Sequence, residues 1–166
     1  MFVLTVVVAG LALLLMGNVA GLFYAYSVSV IPGLNATRAD HAVAAMQQIN
    51  VKILNPVFFA SFIGAPIVAA VAGVLLLSSG QRGAAMWFFA ATAVYVLGSF
   101  VPTAIVNVPL NNALLAVGEI TDPARAAQVW AEFAPKWAPW NHLRAVASCA
   151  GLLLTGAGLF VWAGNR

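Results

Sequence analysis

The sequence is poor in charge: only 7% of its 166 residues are Asp, Glu, Lys or Arg, whereas 63% are hydrophobic. Soluble domains carry about 25% charged residues, so a soluble protein of this size would lack the polar side chains to cover its surface. Disorder is excluded as well, because disordered chains combine low hydrophobicity with high net charge. The composition therefore predicts an integral membrane protein whose first partner is the lipid bilayer.

Cysteine and clustered basic residues are also scarce. The single cysteine, Cys149, excludes an internal disulfide and a metal site built from a cysteine cluster. The seven Lys and Arg residues are scattered, and four acids reduce the net charge to +3. Nucleic-acid binding needs basic residues clustered on one face, so we expect no nucleic-acid partner. The length suits a single domain over residues 1–166.

Long apolar runs fill most of the chain. About 20 helical residues, at about 1.5 Å each, cross a hydrocarbon core of about 30 Å. Four runs meet this length: residues 2–31, 53–77, 84–106 and 140–162. The predicted fold class is an all-α integral membrane protein, a four-helix transmembrane bundle with short amphipathic helices in the 1–2 and 3–4 connections.

The two long connections carry the helix signals. Thr37-Arg38-Ala39-Asp40 is a capping-box pattern that predicts a helix toward Asn50. Asp122-Pro123 predicts a second helix, which we expect to end near Pro135. Four spans place both termini on one side of the membrane and both long connections on the other. The distribution of Lys and Arg gives a small preference for termini in the cytoplasm.

Polar side chains gather at the span ends on the side of the long connections. They are Asn50 and Asn55 before span two, Asn107, Asn111 and Asn112 after span three, and Asn141, His142 and Arg144 at the start of span four. A polar group held away from water is costly unless it is partnered. Such a cluster needs mutual hydrogen bonds or a ligand, so we expect these side chains to converge on a shared site.

Several of these residues have two interpretations. Arg144 lies four residues after Trp140, roughly 6 Å into the helix, where it either snorkels to the interface or faces the bundle interior as a functional cation. His142 is either a satisfied interfacial residue or a base that accepts a proton near pH 7. Trp137 and Trp140 either belong to an interfacial aromatic belt or flank a flat aromatic ligand.

Four stretches of the sequence resemble a family of small four-span membrane proteins that includes the fungal anthrone oxygenases. The stretches are GLFYAYSVSVIPGL, AMQQINVKILNPVFFASFIGAP, VNVPLNNAL and WAPWNHLR. The combination N-x-P-x-N followed by W-x-x-W-N-x-x-R is typical of this family. The resemblance covers nearly the whole chain, and its motifs match Asn107, Asn111, Asn141 and Arg144. It also leads us to expect a protein of the bacterial cytoplasmic membrane.

The resemblance implies oxidation of an anthrone, a tricyclic polyketide, to an anthraquinone by O2 without a metal or flavin. The methylene group of an anthrone is acidic because the carbanion is delocalised over the rings and the carbonyl oxygen. The electron-rich anion can itself reduce oxygen. Such a protein supplies a base, donors for the enolate oxygen and an apolar cavity, so no cofactor is expected and O2 is the co-substrate.

These expectations assign roles to the clustered residues. His142 is the expected base, and Arg144 is expected to hold the substrate oxygen together with Asn107 or Asn111. The expected ligand is a hydrophobic aromatic small molecule. The residues expected to bind it are Asn50, Asn55, Asn107, Asn111, Asn141, Trp137 and Trp140.

Other functions stay open. An accessory or binding protein would use the same polar side chains to tie helices together, at about 0.6–2 kcal/mol per contact. A haem or copper protein would use His41 and His142, although no helical spacing links them and no carboxylate or cysteine completes a site. A homo-oligomer is open too, because small residues at four-residue spacing, such as Gly17, Gly21 and Ala25, pack helices within a bundle or between copies.

Overall fold

A computed structural model describes residues 1–165 and is helical throughout most of that range. The helices are α1 (Phe2–Asn35), α2 (Ala39–Lys52), α3 (Pro56–Ser78), α4 (Arg82–Ala116) and α5 (Pro123–Gly164). All except α2 are long and apolar enough to cross a membrane. The all-α, four-span class predicted from the sequence is therefore confirmed, and the chain is a multi-pass integral membrane protein.

The four long helices close a ring in which α1 and α4 each pack against both α3 and α5. The N-terminus, the end of α5 and the short turn at residues 79–81 lie together at one end, where the Phe2 and Trp162 rings are 5.8 Å apart. Small side chains such as Ala12 and Ala69 fill much of the core between the helices. Small residues allow the close helix approach that stabilises bundles in lipid.

The opposite end of the bundle carries a second apolar core, which we call the outer layer. It is formed by α2, the ends of α1 and α4, and the first part of α5, and it buries Met46, Leu114, Trp130 and Phe133 among others. Gln47 Nε2 donates to the carbonyl oxygens of Leu114 at 2.9 Å and Gly118 at 3.0 Å. The two polar connections therefore pack against each other over one end of the bundle.

Helix α5 is longer than the sequence predicted. It begins as expected at Pro123, where Asp122 Oδ1 accepts the Ala124 N–H at 3.0 Å. It does not end near Pro135 but runs unbroken to Gly164. Pro135 and Pro139 are exposed and lie in the outer layer, where water can satisfy the carbonyls that lose a helical N–H. The 3–4 connection thus has no separate helix, because its helix is the outer part of α5.

Three π-helical turns widen α1 and α4 near the outer layer. They are Tyr26–Val30, Val96–Phe100 and Thr103–Asn107. A proline follows each turn two residues after its last residue: Pro32, Pro102 and Pro109.

The prolines explain these wide turns. Proline has no N–H, so the carbonyl four residues before it loses its α-helical partner, and in each case that carbonyl lies in the middle of the π turn. The wider i→i+5 pairing keeps the backbone hydrogen-bonded there, as in the bond from the Ile31 N–H to the Tyr26 carbonyl. Helix α1 consequently continues past Pro32 to Asn35, beyond residue 31, where the predicted span ends.

In α3 a side chain supplies the hydrogen bond that a proline removes from the backbone. Pro66 leaves the Phe62 carbonyl without a helical N–H, and the α-helical pattern breaks at Ile63. The hydroxyl of Tyr95, a fully buried residue of α4, donates to that carbonyl at 2.8 Å. Backbone groups must find partners inside the protein at membrane depth, so Tyr95 fixes α4 against the break in α3.

We expect Gly98→Ala to destabilise the bundle. A Cβ at Gly98 would lie 2.5 Å from Ala147 Cβ, so α4 and α5 would have to separate. Overpacking of this kind costs about 1–3 kcal/mol, or about 2–12 °C in the apparent Tm at this chain length. A Cβ at Gly156 would meet nothing within 4 Å, so Gly156→Ala is the matched control and should keep or raise Tm in detergent. Equal Tm values for the two variants would contradict the close approach.

Candidate functional site

A cavity lies where the bundle core and the outer layer meet. Its enclosed volume is about 140 Å³, and the empty space counted out to its open mouth is about 780 Å³. Its walls are mostly apolar and come from all five helices and the turn before α3. The polar residues that line it are Tyr26, Asn50, Thr103, Asn111, Asn112, Asn141 and Arg144.

Arg144 is buried deep in this cavity. It is 4% exposed; Nη1 donates to Thr103 Oγ1 at 3.1 Å, and Nη2 donates to Asn141 Oδ1 at 2.9 Å. Its Cζ lies 4.3 Å from the Phe23 ring centroid and 5.1 Å from that of Trp137, both within cation–π distance. The Nε–H is buried without a partner. Arg144 therefore faces the interior of the protein and does not extend toward the lipid headgroups.

No carboxylate balances this cation among residues 1–165. The side-chain ion pairs of the described chain are confined to the exposed start of α2, where Arg38 Nη2 lies 2.9 Å from Asp40 Oδ2. Burying a charge carries an effective penalty of several kcal/mol, which the aromatic rings and the two hydrogen bonds of Arg144 offset only in part. The remaining charge and free N–H donors favour a ligand with an anionic oxygen.

Helix α1 holds the amide of Asn141 in one orientation. Asn141 Nδ2 donates to the Phe23 carbonyl at 3.0 Å and to Ser27 Oγ at 2.9 Å, which leaves Oδ1 for Arg144. Ser27 lies in the first π turn, and its Oγ is also 2.9 Å from His142 Nδ1. A row of hydrogen bonds thus connects the exposed His142 to the buried cation through Ser27 and Asn141.

Two asparagines of α4 hold the indole of Trp137 and its backbone. Asn111 Oδ1 accepts the Trp137 Nε1–H at 2.8 Å, and Asn107 Nδ2 donates to the Trp137 carbonyl at 3.4 Å. Asn107 is fully buried, and its Oδ1 has no partner. Asn50 of α2 lines the cavity, and its buried Nδ2 is unpartnered as well. Asn50 therefore contributes a second unpartnered donor to the cavity wall, in addition to Arg144.

The structure brings most of the residues expected in the site to one place. Those that line the cavity are Asn50, Asn111, Trp137, Asn141 and Arg144. Asn107 is outside the lining and supports Trp137 from behind.

The other expected residues lie outside the cavity wall. Asn55 caps α3, where its Oδ1 accepts the Phe58 N–H at 3.0 Å. Trp140 is exposed, as an interfacial tryptophan would be. His142 is exposed too and reaches the site only through Ser27.

The sequence pattern did not single out several residues that build the site. Ser27 orients Asn141, Thr103 accepts from Arg144, and the Tyr26 ring lies 5.7 Å from that of Trp137. Tyr26 and Ser27 belong to the π turn before Pro32, and Thr103 directly follows Pro102. These three residues could have been identified from the sequence as polar residues close to a proline within an apolar span.

Tyr26 and Arg144 are the only ionisable side chains among the described residues of the cavity wall. The wall can therefore bind and stabilise an anion, but it carries no carboxylate or imidazole to accept a proton. His41, considered above as a metal ligand, is exposed on α2 with Nε2 3.8 Å from Asp40 Oδ2. Within the part of the chain that the structure describes, no three His, Cys, Asp or Glu side chains form a group that could hold a metal ion.

Comparison with known families supports the resemblance noted in the sequence. Residues 57–154, more than half of the chain, match the sequence model of the family described as anthrone oxygenase. The match contains α4, most of α3 and α5, and with them Asn107, Asn111, Trp137, Asn141 and Arg144. Neither the curated proteins nor the solved structures contain a match to this chain.

We expect the cavity to prefer a flat aromatic anion over its neutral analogue. The carboxylate of 2-anthracenecarboxylate should bind at least tenfold more tightly than 2-anthracenecarboxamide, because only the anion compensates Arg144. Fluorescence titration of the detergent-purified protein measures both affinities. Arg144→Gln should remove the preference, and Arg82→Gln, at the other end of the bundle, should leave it unchanged. Equal affinities for the two ligands in the unmodified protein would contradict an anion site.

Proposed function

Since the chain belongs to the anthrone oxygenase family, we propose that it is a membrane-embedded oxygenase that oxidises a polycyclic aromatic substrate with O2 and without a cofactor. The observation that carries the proposal is the buried guanidinium of Arg144, which has no carboxylate partner and borders a largely apolar cavity. A substrate that is apolar when it binds and anionic when it reacts suits both properties of this cavity.

Arg144 acts on the acidity of the substrate. When an anthrone loses a methylene proton, negative charge develops on its carbonyl oxygen. A fixed cation in a water-poor pocket stabilises such an oxyanion far better than an exposed charge does, because the local dielectric is low and the donors need no reorganisation. Thr103 and Asn141 fix the guanidinium in place, and Asn50 supplies a further N–H donor.

The enolate then reacts with O2 in balanced steps. One electron passes from the enolate to O2, and the resulting radical and superoxide combine into a carbon–oxygen bond, which gives a hydroperoxide after protonation. Loss of the second proton from the same carbon breaks the O–O bond and releases hydroxide, which becomes water. One oxygen atom of O2 ends in the new carbonyl group and the other in water.

The flat faces for the substrate come from the aromatic residues of the cavity. Phe23 and Trp137 are both buried and both contact the guanidinium, so a ligand ring that lies against either of them is held next to the cation. Asn111 fixes the plane of the Trp137 indole. Trp140 lies outside the cavity wall and has no contact with the substrate in this proposal.

The first proton leaves to water that reaches the cavity from the membrane interface. No lining side chain among the described residues is a neutral base, and Arg144 lowers the pKa of the bound substrate enough that none is required. His142, the base expected from the sequence, touches Ser27 and is exposed. In this proposal it supports Ser27 and does not take the proton.

We expect Arg144→Gln to lower the turnover number by about 10²–10³, the usual cost of losing an oxyanion donor. Oxygen uptake and the absorbance of the quinone product, measured with anthrone in detergent, give the rate. The apparent Tm should not fall, because the substitution removes a buried uncompensated charge and glutamine keeps an N–H donor.

The apparent Tm also distinguishes the proposal from the accessory-protein alternative. If Arg144 only ties helices together, its replacement lowers Tm, and the unmodified protein consumes no oxygen with anthrone. Oxygen uptake by the unmodified protein, lost in Arg144→Gln at unchanged Tm, would support the oxygenase.

We expect His142→Ala to change turnover by less than threefold and to leave its pH dependence between pH 6 and 8 unchanged, because His142 lies outside the cavity. The same oxygen-uptake assay measures both quantities. A fall of more than thirtyfold that added imidazole restores would show instead that His142 is the base.

The same purified protein tests the absence of a cofactor. Elemental analysis for copper and iron and an absorption spectrum between 350 and 700 nm detect a bound metal or haem. Turnover that rises with copper or haem occupancy would support the metal alternative and contradict this part of the proposal.

A further inference from the structure

The mouth of the cavity is apolar, although its deep end is polar. Of the lining residues, Val51, Leu54, Val108 and Leu115 are 41–63% exposed. Asn112 is the polar residue among the exposed members of the lining. Exposed apolar side chains around an opening are unfavourable in water and favourable against lipid.

The direction of the chain shows which side of the mouth faces the bilayer. Helix α2 approaches the membrane toward its end at Lys52, because the span α3 begins at Pro56. Helix α4 approaches the membrane from its end at Ala116 back toward Val108. Gln47, which donates to the Leu114 and Gly118 carbonyls, therefore closes the gap between α2 and α4 on the aqueous side.

The segment between α2 and α3 forms the membrane side of the rim. Asn55 Nδ2 donates to the carbonyls of Lys52 at 2.9 Å and Ile53 at 3.3 Å, which holds this non-helical turn in shape. Leu54, at its centre, is 63% exposed and lines the cavity. Lys52, at the start of this turn, is exposed. Long basic side chains extend toward the headgroups, so Lys52 positions the turn at the membrane interface.

We infer that the ligand enters and leaves the cavity sideways, from the interfacial zone of the bilayer, through the gap between Leu54 and Val108. The ligand is an aromatic molecule that partitions into lipid and carries an ionisable oxygen, which is the amphipathic type of solute that collects at this depth. The inference rests on the proposed function for its choice of ligand. The direction of access follows from the rim and the Gln47 contacts.

The test blocks the rim and measures the rate of ligand exchange. The full chain with Cys149→Ser is reconstituted in phosphatidylcholine vesicles, and Leu54→Cys is labelled with a bulky thiol reagent. Val57→Cys is the matched control, because Val57 lies three residues further along the chain, is 78% exposed and does not line the cavity. Gln48→Cys, exposed on the aqueous side of α2, tests access from water.

Stopped-flow energy transfer from tryptophan to 2-anthracenecarboxylate gives the rates of binding and release, with Arg144→Gln vesicles as the background. The label at Leu54 should slow both rates at least tenfold, because a block in the path raises the barrier to entry and to release alike. The labels at Val57 and Gln48 should change neither rate. Unchanged rates with the Leu54 label, or slowing by the Gln48 label, would overturn the inference.

The outcomes separate this inference from the proposed function. Rapid, Leu54-dependent binding without oxygen uptake on anthrone would retain lateral access and refute the oxygenase. Oxygen uptake that the Leu54 label does not slow would retain the oxygenase and refute lateral access. Failure of the unmodified protein to bind the probe at all would refute the ligand site on which both depend.

Discussion

The buried guanidinium of Arg144 is the constraint on which the site depends. A cation that is 4% exposed, with no carboxylate beside it in the described chain, is tolerated only because other groups share its charge. Two aromatic faces, one hydroxyl and one amide oxygen do so. None of these groups is anionic, so within the described chain the charge of Arg144 stays uncompensated, which favours a ligand with a negative oxygen. A carboxylate in this place would stabilise the resting protein and remove its attraction for such a ligand.

The requirement for backbone hydrogen bonds inside the membrane explains how the helices bring these groups to Arg144. In lipid each backbone carbonyl needs a partner within the protein, and Pro32, Pro102 and Pro109 each remove one such partner in α1 or α4. The resulting π turns change the direction in which side chains project, and Ser27, Thr103 and Asn107 all belong to these turns. Pro66 acts similarly in α3, where Tyr95 replaces the lost N–H. The prolines therefore help to set where the polar side chains of the site point, because they cause the π turns that carry these residues.

The sequence predicted the parts of the structure that depend on composition and local signals. Four apolar runs gave the spans, and Asp122-Pro123 gave the start of α5. The predicted end of that helix near Pro135 was wrong. Pro135 is exposed, so water can satisfy the carbonyl that loses its helical N–H, and the helix continues. In the site, the asparagines and Arg144 were predicted from their positions at the ends of the spans, and the family motifs match Asn107, Asn111, Asn141 and Arg144. Ser27 and Thr103 were missed because their roles depend on helix register, which a π turn shifts by one residue and an ideal helical repeat does not show.

The position of the cavity between two apolar cores also bears on turnover. In the proposed reaction the neutral substrate and O2 are both apolar and concentrate in lipid, so neither has to cross an aqueous layer to reach the apolar rim. Charge arises only after the substrate lies beside Arg144, when loss of a proton creates the oxyanion. The quinone product is neutral again, so it is no longer attracted to the charge of Arg144. One uncompensated cation therefore binds the reacting anion strongly and both neutral forms weakly, which is the differential binding that catalysis requires.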